Sequence, residues 1–157
     1  MSPKQATSFD AALRLLALRP RTEAELRRRL GRRGFGAEAI EAAMTRLGEV
    51  GLVDDDAFAR FWVEQRAAFR PSGRRRLFAE LRAKGVARET VDAALQGQDD
   101  AASIEALARR RADVLGDLDA VTLSRRLEAF LVRRGYQPSL ARPTVRRLLR
   151  ERAGNGS

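Results

Sequence analysis

Apolar positions recur along this chain at intervals of three and four, the period of an amphipathic helix. In residues 25–44, "ELRRRLGRRGFGAEAIEAAM", Leu30 precedes a Gly34-Phe35 turn, and Ile40 and Met44 follow it at helical spacing. No stretch alternates β-branched and polar residues, so the pattern predicts essentially no sheet. Residues 76–95, "RLFAELRAKGVARETVDAAL", repeat the arrangement 51 positions later. Leu81, Gly85, Val86, Val91 and Leu95 fall on Leu30, Gly34, Phe35, Ile40 and Met44, and Arg70-Pro71 falls on Arg19-Pro20. A looser third copy, "RRLEAFLVRRGY", brings Leu127, Leu131, Gly135 and Tyr136 into register. There "QPSLARP", Gln137 to Pro143, reads as an insert that breaks the spacing, which puts Val145 and Leu149 where Val91 and Leu95 stand.

Each copy reads as three helices. In the first, Ser8 or Thr7 caps a helix carrying Phe9, Leu13 and Leu16, and Pro20 stops it. Thr22-x-x-Glu25 has the form of a capping box opening the second helix, and Gly34 suits the left-handed residue that ends it. The third runs from Ala37 to Val50 with Ile40, Met44 and Leu47 on one face. The expected fold is all-α, three tandem three-helix repeats over residues 8–53, 54–97 and 98–152. A three-helix unit of this size is marginal alone, so neighbours are expected to share apolar surface in an elongated, jointed array.

Two aspartate clusters sit where new copies begin, Asp54 to Asp56 and Asp99-Asp100. An aspartate at an N-cap accepts from an orphan backbone N–H, and further acids in the first turn favour the helix dipole. A metal site needs additional oxygen ligands converging from elsewhere, and no spaced carboxylate motif supplies them. Capping is therefore the expected role. The next segment, "AFARFWVEQRAAF", sets Phe58, Phe61, Trp62, Gln65 and Phe69 at intervals of three and four, the spacing of a core face. One helix with that much aromatic surface exceeds what a small module hides, which leaves Trp62 as a candidate for a module joint or a partner contact.

Composition narrows the chemistry. The 157 residues contain neither His nor Cys, which removes Ser-His and Cys-His nucleophiles and the usual zinc ligands. No catalytic residue, metal or cofactor is expected, and the chain reads as a non-enzyme. The absence of cysteine agrees with a reducing cytoplasm. No apolar run approaches a membrane span, and "MSPKQATSFD" lacks the layout of a signal peptide. The net charge is +10, and of 31 basic residues only Lys4 and Lys84 are lysine. The excess grows along the chain, with 10 basic against 9 acidic residues in 1–56, 9 against 6 in 57–100 and 12 against 6 in 101–157. Such polarity favours a polyanionic partner.

The turn "LRAKGVARETVDAAL" is similar to a helix-turn-helix, but a recognition helix in a major groove presents Arg, Lys, Asn or Gln. The third helices instead carry Glu38, Glu41 and Glu49, then Glu89 and Asp92. The basic residues lie on second helices (Arg27, Arg28, Arg29, Arg32 and Arg33 in copy one) and on the final helix, a placement suited to following a backbone or an acidic groove. The candidate partner- or DNA-binding residues are Arg74, Arg75, Arg76, Arg82 and Lys84 in copy two. In copy three they are Arg109, Arg110, Arg125, Arg126, Arg133, Arg134, Arg146, Arg147 and Arg150. Arg75 and Arg82, seven residues apart, fall near one side of their helix.

The blocks "RTEAELRRRLGRRGF", "LGEVGLVDDDAFARFWVEQR" and "GRRRLFAELRAKGV" resemble successive segments of the RecX family of bacterial recombinase regulators. Leu52-Val53-Asp54-Asp55 and Leu81-x-x-Lys84-Gly85-Val86 are similar to its most distinctive pieces, and the match runs from Phe9 to Leu95 and more loosely to Arg152. The resemblance implies three tandem three-helix repeats and a negative regulator of the RecA recombinase in DNA repair. Such proteins bind the RecA–single-stranded-DNA filament and block its extension, ATP hydrolysis, strand exchange and SOS co-protease activity. The expected partners are that filament and, with weak and salt-sensitive affinity, bare single-stranded DNA, engaged by a cytoplasmic monomer with no membrane contact. The alternative is a basic helix-turn-helix-like DNA-binding protein acting without a recombinase.

Overall fold

A computed structural model describes residues 6–156. Among these there are nine helices and no strand, in three successive sets of three. The first set is α1 (Ser8–Leu18), α2 (Glu23–Arg32) and α3 (Ala37–Glu49), the second α4 (Asp55–Phe69), α5 (Arg74–Ala83) and α6 (Arg88–Ala94), and the third α7 (Asp100–Leu115), α8 (Ala120–Arg133) and α9 (Pro138–Gly154). Two compact units are present. Unit one comprises the described part of Met1–Trp62 with Leu81–Ala94, and unit two comprises Val63–Glu80 with the described part of Leu95–Ser157.

Local chemistry explains the helix ends. Thr7 caps α1 in a complete capping box with Asp10. Asp54 accepts from the Ala57 amide at the start of α4, and Asp99 and Asp119 do the same for Ala102 and Thr122. Each second helix closes through a glycine in the left-handed region, Gly34, Gly85 or Gly135. The amide of the following apolar residue then reaches back to a leucine carbonyl: Phe35 to Leu30, Val86 to Leu81 and Tyr136 to Leu131. This is the hydrogen bond of a Schellman closure, and it places Phe35, Val86 and Tyr136 over the helix they end.

In unit one, Ala11, Ala12, Leu15, Leu26, Leu30, Ile40, Met44, Leu47 and Val53 form a continuous core. In unit two, Ile104, Leu107, Leu123, Leu127, Leu131, Tyr136, Ala141, Val145 and Leu148 do so. The Tyr136 hydroxyl is satisfied there by Ser103 at 2.8 Å, and burial pushes its ionisation up.

Three expectations are corrected. Gln137 to Pro143 is not an insert: α9 begins at Pro138, and Ala141 follows Tyr136 by the interval that separates Ile40 from Phe35 and Val91 from Val86. A small residue in a position otherwise held by Ile or Val conceals the match. Leu148, more than Leu149, completes that core face, while exposed Pro143 supplies no N–H to the carbonyl four residues back. The aromatic run of α4 is not a common core face either. Phe58 is buried, but Phe61 is 43% and Phe69 80% exposed, and Trp62 is half-buried against the Phe58 ring and the Lys84 ammonium. Glu25, finally, does not complete a capping box. Thr22 accepts from the Glu25 amide, but the Glu25 carboxylate, 5% exposed, turns to Arg19 at 2.8 Å and Lys84 at 3.4 Å, with Arg21 at 3.8 Å.

Successive sets meet at joints of one design. In unit one the Thr22 hydroxyl donates to the Lys84 carbonyl at 2.6 Å, and Gly85 lies so near Ala24 that a Cβ on it would overlap the Ala24 methyl. In unit two the Gly73 amide donates to the Arg134 carbonyl at 2.7 Å, and Gly135 abuts Arg76 in the same manner. The glycine turn of one set therefore seats on the N-terminus of the preceding set's second helix. Gly34, in the first described set, has open space around it.

Candidate anion-binding surface

Aspartates complete these joints and leave the basic residues as the chemistry available to a partner. Asp55 Oδ1 accepts from the Glu23 amide of α2 at 3.0 Å, and both Asp100 oxygens accept from the Arg74 amide of α5 at 3.1 Å. Those amides belong to the first helical residues of α2 and α5, whose N–H groups have no partner within the helix. Burial pushes the Asp55 carboxyl up, and the Glu23 amide opposes that shift. Among the described residues no group of three or more Asp or Glu is placed to hold a metal ion.

The fourteen basic candidates fall into two classes. Several are engaged by other groups of the same chain. Arg74 donates from Nη1 to the Leu95 carbonyl at 2.7 Å, and Arg82 donates to the Val86 carbonyl at 2.8 Å. Arg76 pairs with Glu80 at 3.0 Å and donates to the Arg133 carbonyl at 3.1 Å. Lys84 pairs with Glu25 and lies 4.6 Å from the centre of the Trp62 ring. Arg134 donates to the Pro71 carbonyl and stands over Phe130, and burial with nearby Arg70 and Arg76 pushes its guanidinium below the usual value. Arg109 is shared by Glu105 and Glu151, and Arg147 faces Glu105 at 3.8 Å.

The remaining candidates, Arg75, Arg110, Arg125, Arg126, Arg133, Arg146 and Arg150, are exposed, and their side chains have no carboxylate or hydrogen-bond partner among the described residues. Arg125, Arg126 and Arg133 line one cleft of about 400 Å³ with Arg111, Leu115, Thr122 and Ala129. Arg111 is absent from the sequence-derived set. Its signal is the run Arg109-Arg110-Arg111, in which the third arginine stands four residues before apolar Leu115 and so shares its face. The exposed acids of the third helices, Glu38 and Glu49 on α3 and Glu89 and Asp92 on α6, present the wrong sign to a duplex groove.

Comparison with known proteins places this arrangement. The family profile described as "RecX, first three-helix domain" matches residues 9–47, and "RecX, second three-helix domain" matches residues 54–95. The chain belongs to the RecX family. It is 46% identical to the regulatory protein RecX of Thermobifida fusca, over 85% of this chain and 74% of that one. It is 42% identical to the RecX of Mycobacterium leprae, over 97% and 92%. The crystal structure of RecX from Lactobacillus salivarius matches the fold with a TM-score of 0.78 at 19% identity, covering 90% of this chain and 94% of that one. A second RecX crystal structure matches with a TM-score of 0.76 at 21% identity, covering 85% and 68%. The relatives' name makes this chain a RecX-type regulatory protein.

Proposed function

We propose that this RecX protein is a non-enzymatic negative regulator of the RecA recombinase. It binds the RecA–single-stranded-DNA filament and blocks extension, ATP hydrolysis, strand exchange and the SOS co-protease activity. The observation that carries the reading is the set of exposed arginines without partners among the described residues, beside others that are paired with carboxylates. A planar guanidinium with no acid of its own is available to a carboxylate or phosphate as a bidentate partner. A filament offers both, so contacts spread over several helices would hold neighbouring protomers and stop addition with no covalent step. The protein acts as a cytoplasmic monomer, and the same surface gives weak affinity for bare single-stranded DNA, lost as salt rises. No helix among the described residues is long and apolar enough to cross a membrane.

The test is the rate of ATP hydrolysis by RecA on single-stranded DNA, with and without this protein. The reading requires inhibition that rises with protein concentration and persists when DNA is in excess. An unchanged rate, with DNA bound equally well in the absence of RecA, would favour a DNA-binding protein acting without a recombinase.

A further inference from the structure

The cleft between α7 and α8 carries a charge arrangement unlike the rest of the same helices. On the α7–α9 side every arginine near a carboxylate is paired: Arg109 with Glu105 and Glu151, Arg147 with Glu105, Arg152 with Asp113. On the α7–α8 side four guanidiniums, from Arg111, Arg125, Arg126 and Arg133, line the cleft and no described Asp or Glu does. Thr122, Arg125, Arg126, Ala129 and Arg133 follow one another along α8 at intervals of three, one, three and four, which keeps them on one stripe. Arg126 and Arg133 are seven residues apart, about 10 Å along the helix axis, long enough for more than one anionic group.

The wall opposite is fixed. Arg111 is half-buried with its guanidinium 4.7 Å from the centre of the Phe130 ring, and its Nε has no acceptor among the described residues. Asp119 accepts from the Thr122 amide at 3.0 Å, and hydrogen bonding to Thr122 holds its carboxyl below the ordinary value, with the charge of Arg125 adding to that shift. Four like charges lining one cleft that no described carboxylate lines repel one another, and an anion seated among them relieves that repulsion. Phosphoryl groups suit such a cleft better than single carboxylates, since they carry several oxygens for two or more guanidiniums.

We propose that this cleft is a binding site for clustered phosphoryl groups, either the consecutive phosphodiesters of a nucleic-acid strand or the chain of a free nucleoside triphosphate. The site rests on the anion-binding surface invoked for regulation, of which Arg125, Arg126 and Arg133 are part, but its phosphate binding is read without the recombinase.

Calorimetric titration of the full-length protein at low salt tests it, with pyrophosphate, a non-hydrolysable nucleoside triphosphate, a thymidine oligonucleotide and poly-glutamate as probes. Arg125→Gln with Arg133→Gln should weaken pyrophosphate binding by about tenfold or more. Arg109→Gln with Arg147→Gln, an equal change of net charge on the neutralised side, should change it less than about threefold. Circular dichroism should be unaltered in both, because all four residues are exposed. Loss of oligonucleotide binding in parallel identifies the strand as the source, whereas loss of triphosphate binding alone identifies the free nucleotide. Equal weakening in the two variants, no pyrophosphate binding by the wild type, or poly-glutamate bound as tightly per charge as the phosphates would overturn the proposal. RecA inhibition by the same variants is a separate readout, so failure of the recombinase reading leaves this result standing.

Discussion

Asp55 accepts the backbone N–H of Glu23, so a residue in the first turn of one three-helix set caps the second helix of the set before it. Asp100 does the same for Arg74. Neighbouring Asp54 and Asp99 cap their own helices in the ordinary way. Each aspartate pair thus serves two helices at once, and replacement of the two members should have different consequences.

Asp55→Ala removes the acceptor of the Glu23 amide and should cost about 1–2 kcal/mol. Asp55→Asn keeps an amide oxygen for that N–H. Burial has already raised the carboxyl above its ordinary value, so its charge costs stability wherever it is ionised, and stability from this group is lost as pH rises through the raised value. The Asn protein, which keeps the acceptor without the charge, should therefore be at least as stable as the wild type at neutral pH. Urea unfolding of the two variants decides it, and an Asn protein as unstable as the Ala protein would rule out the cap.

Gly85 and Gly135 each need both a positive φ and the absence of a side chain, whereas Gly34 needs only the first. Alanine at Gly34 should cost about 1–2 kcal/mol from backbone strain alone. At Gly85 or Gly135 the same strain is joined by overlap with Ala24 or Arg76, which adds about 1–3 kcal/mol. Thermal melting of the three single variants would show the difference, and three equal values would refute the joint geometry.

The Glu25 cluster makes the first joint sensitive to acid. Burial raises the Glu25 carboxyl, but the hydrogen bond from Arg19 and the charge of Lys84 outweigh it and hold it below its ordinary 4.5. A depressed carboxylate contributes stability that is full above the unfolded value and lost as pH falls through the folded one. The stability gap between wild type and Glu25→Gln should be widest near neutrality and shrink below about pH 4. A gap independent of pH would mean that the charge of Glu25 does not hold the joint.

Features that depend on nearby residues are legible in the amino-acid sequence itself: the helix period, the Thr7, Asp54 and Asp99 caps, the Gly34, Gly85 and Gly135 turns, and the buried apolar positions that repeat between sets. What sequence spacing does not reveal depends on contacts across sets. Asp55 and Asp100 look like ordinary first-turn acids until α2 and α5 are packed beside them. Glu25 sits at a capping-box position, but Arg19 at 2.8 Å and the ammonium of Lys84, 59 residues away, together hold its carboxylate. Ala141 hides a repeat position because methyl size, not apolar character, differs from Ile40 and Val91. The arginines show the same limit. Their number and gradient are plain along the chain. Yet nothing local distinguishes Arg74, bound to the Leu95 carbonyl, from Arg75 beside it, which has no partner among the described residues.

That distinction is also the most direct test of the account. ATP hydrolysis by RecA on single-stranded DNA should be titrated with two triple variants of equal net charge. The first is Arg75→Gln with Arg146→Gln and Arg150→Gln, drawn from the unpartnered arginines. The second is Arg109→Gln with Arg147→Gln and Arg152→Gln, drawn from the paired ones. The first should need about tenfold more protein for half inhibition, and the second less than about threefold more. Equal loss in the two would contradict the account, because inhibition would then follow net charge and not the arginines left free by the fold.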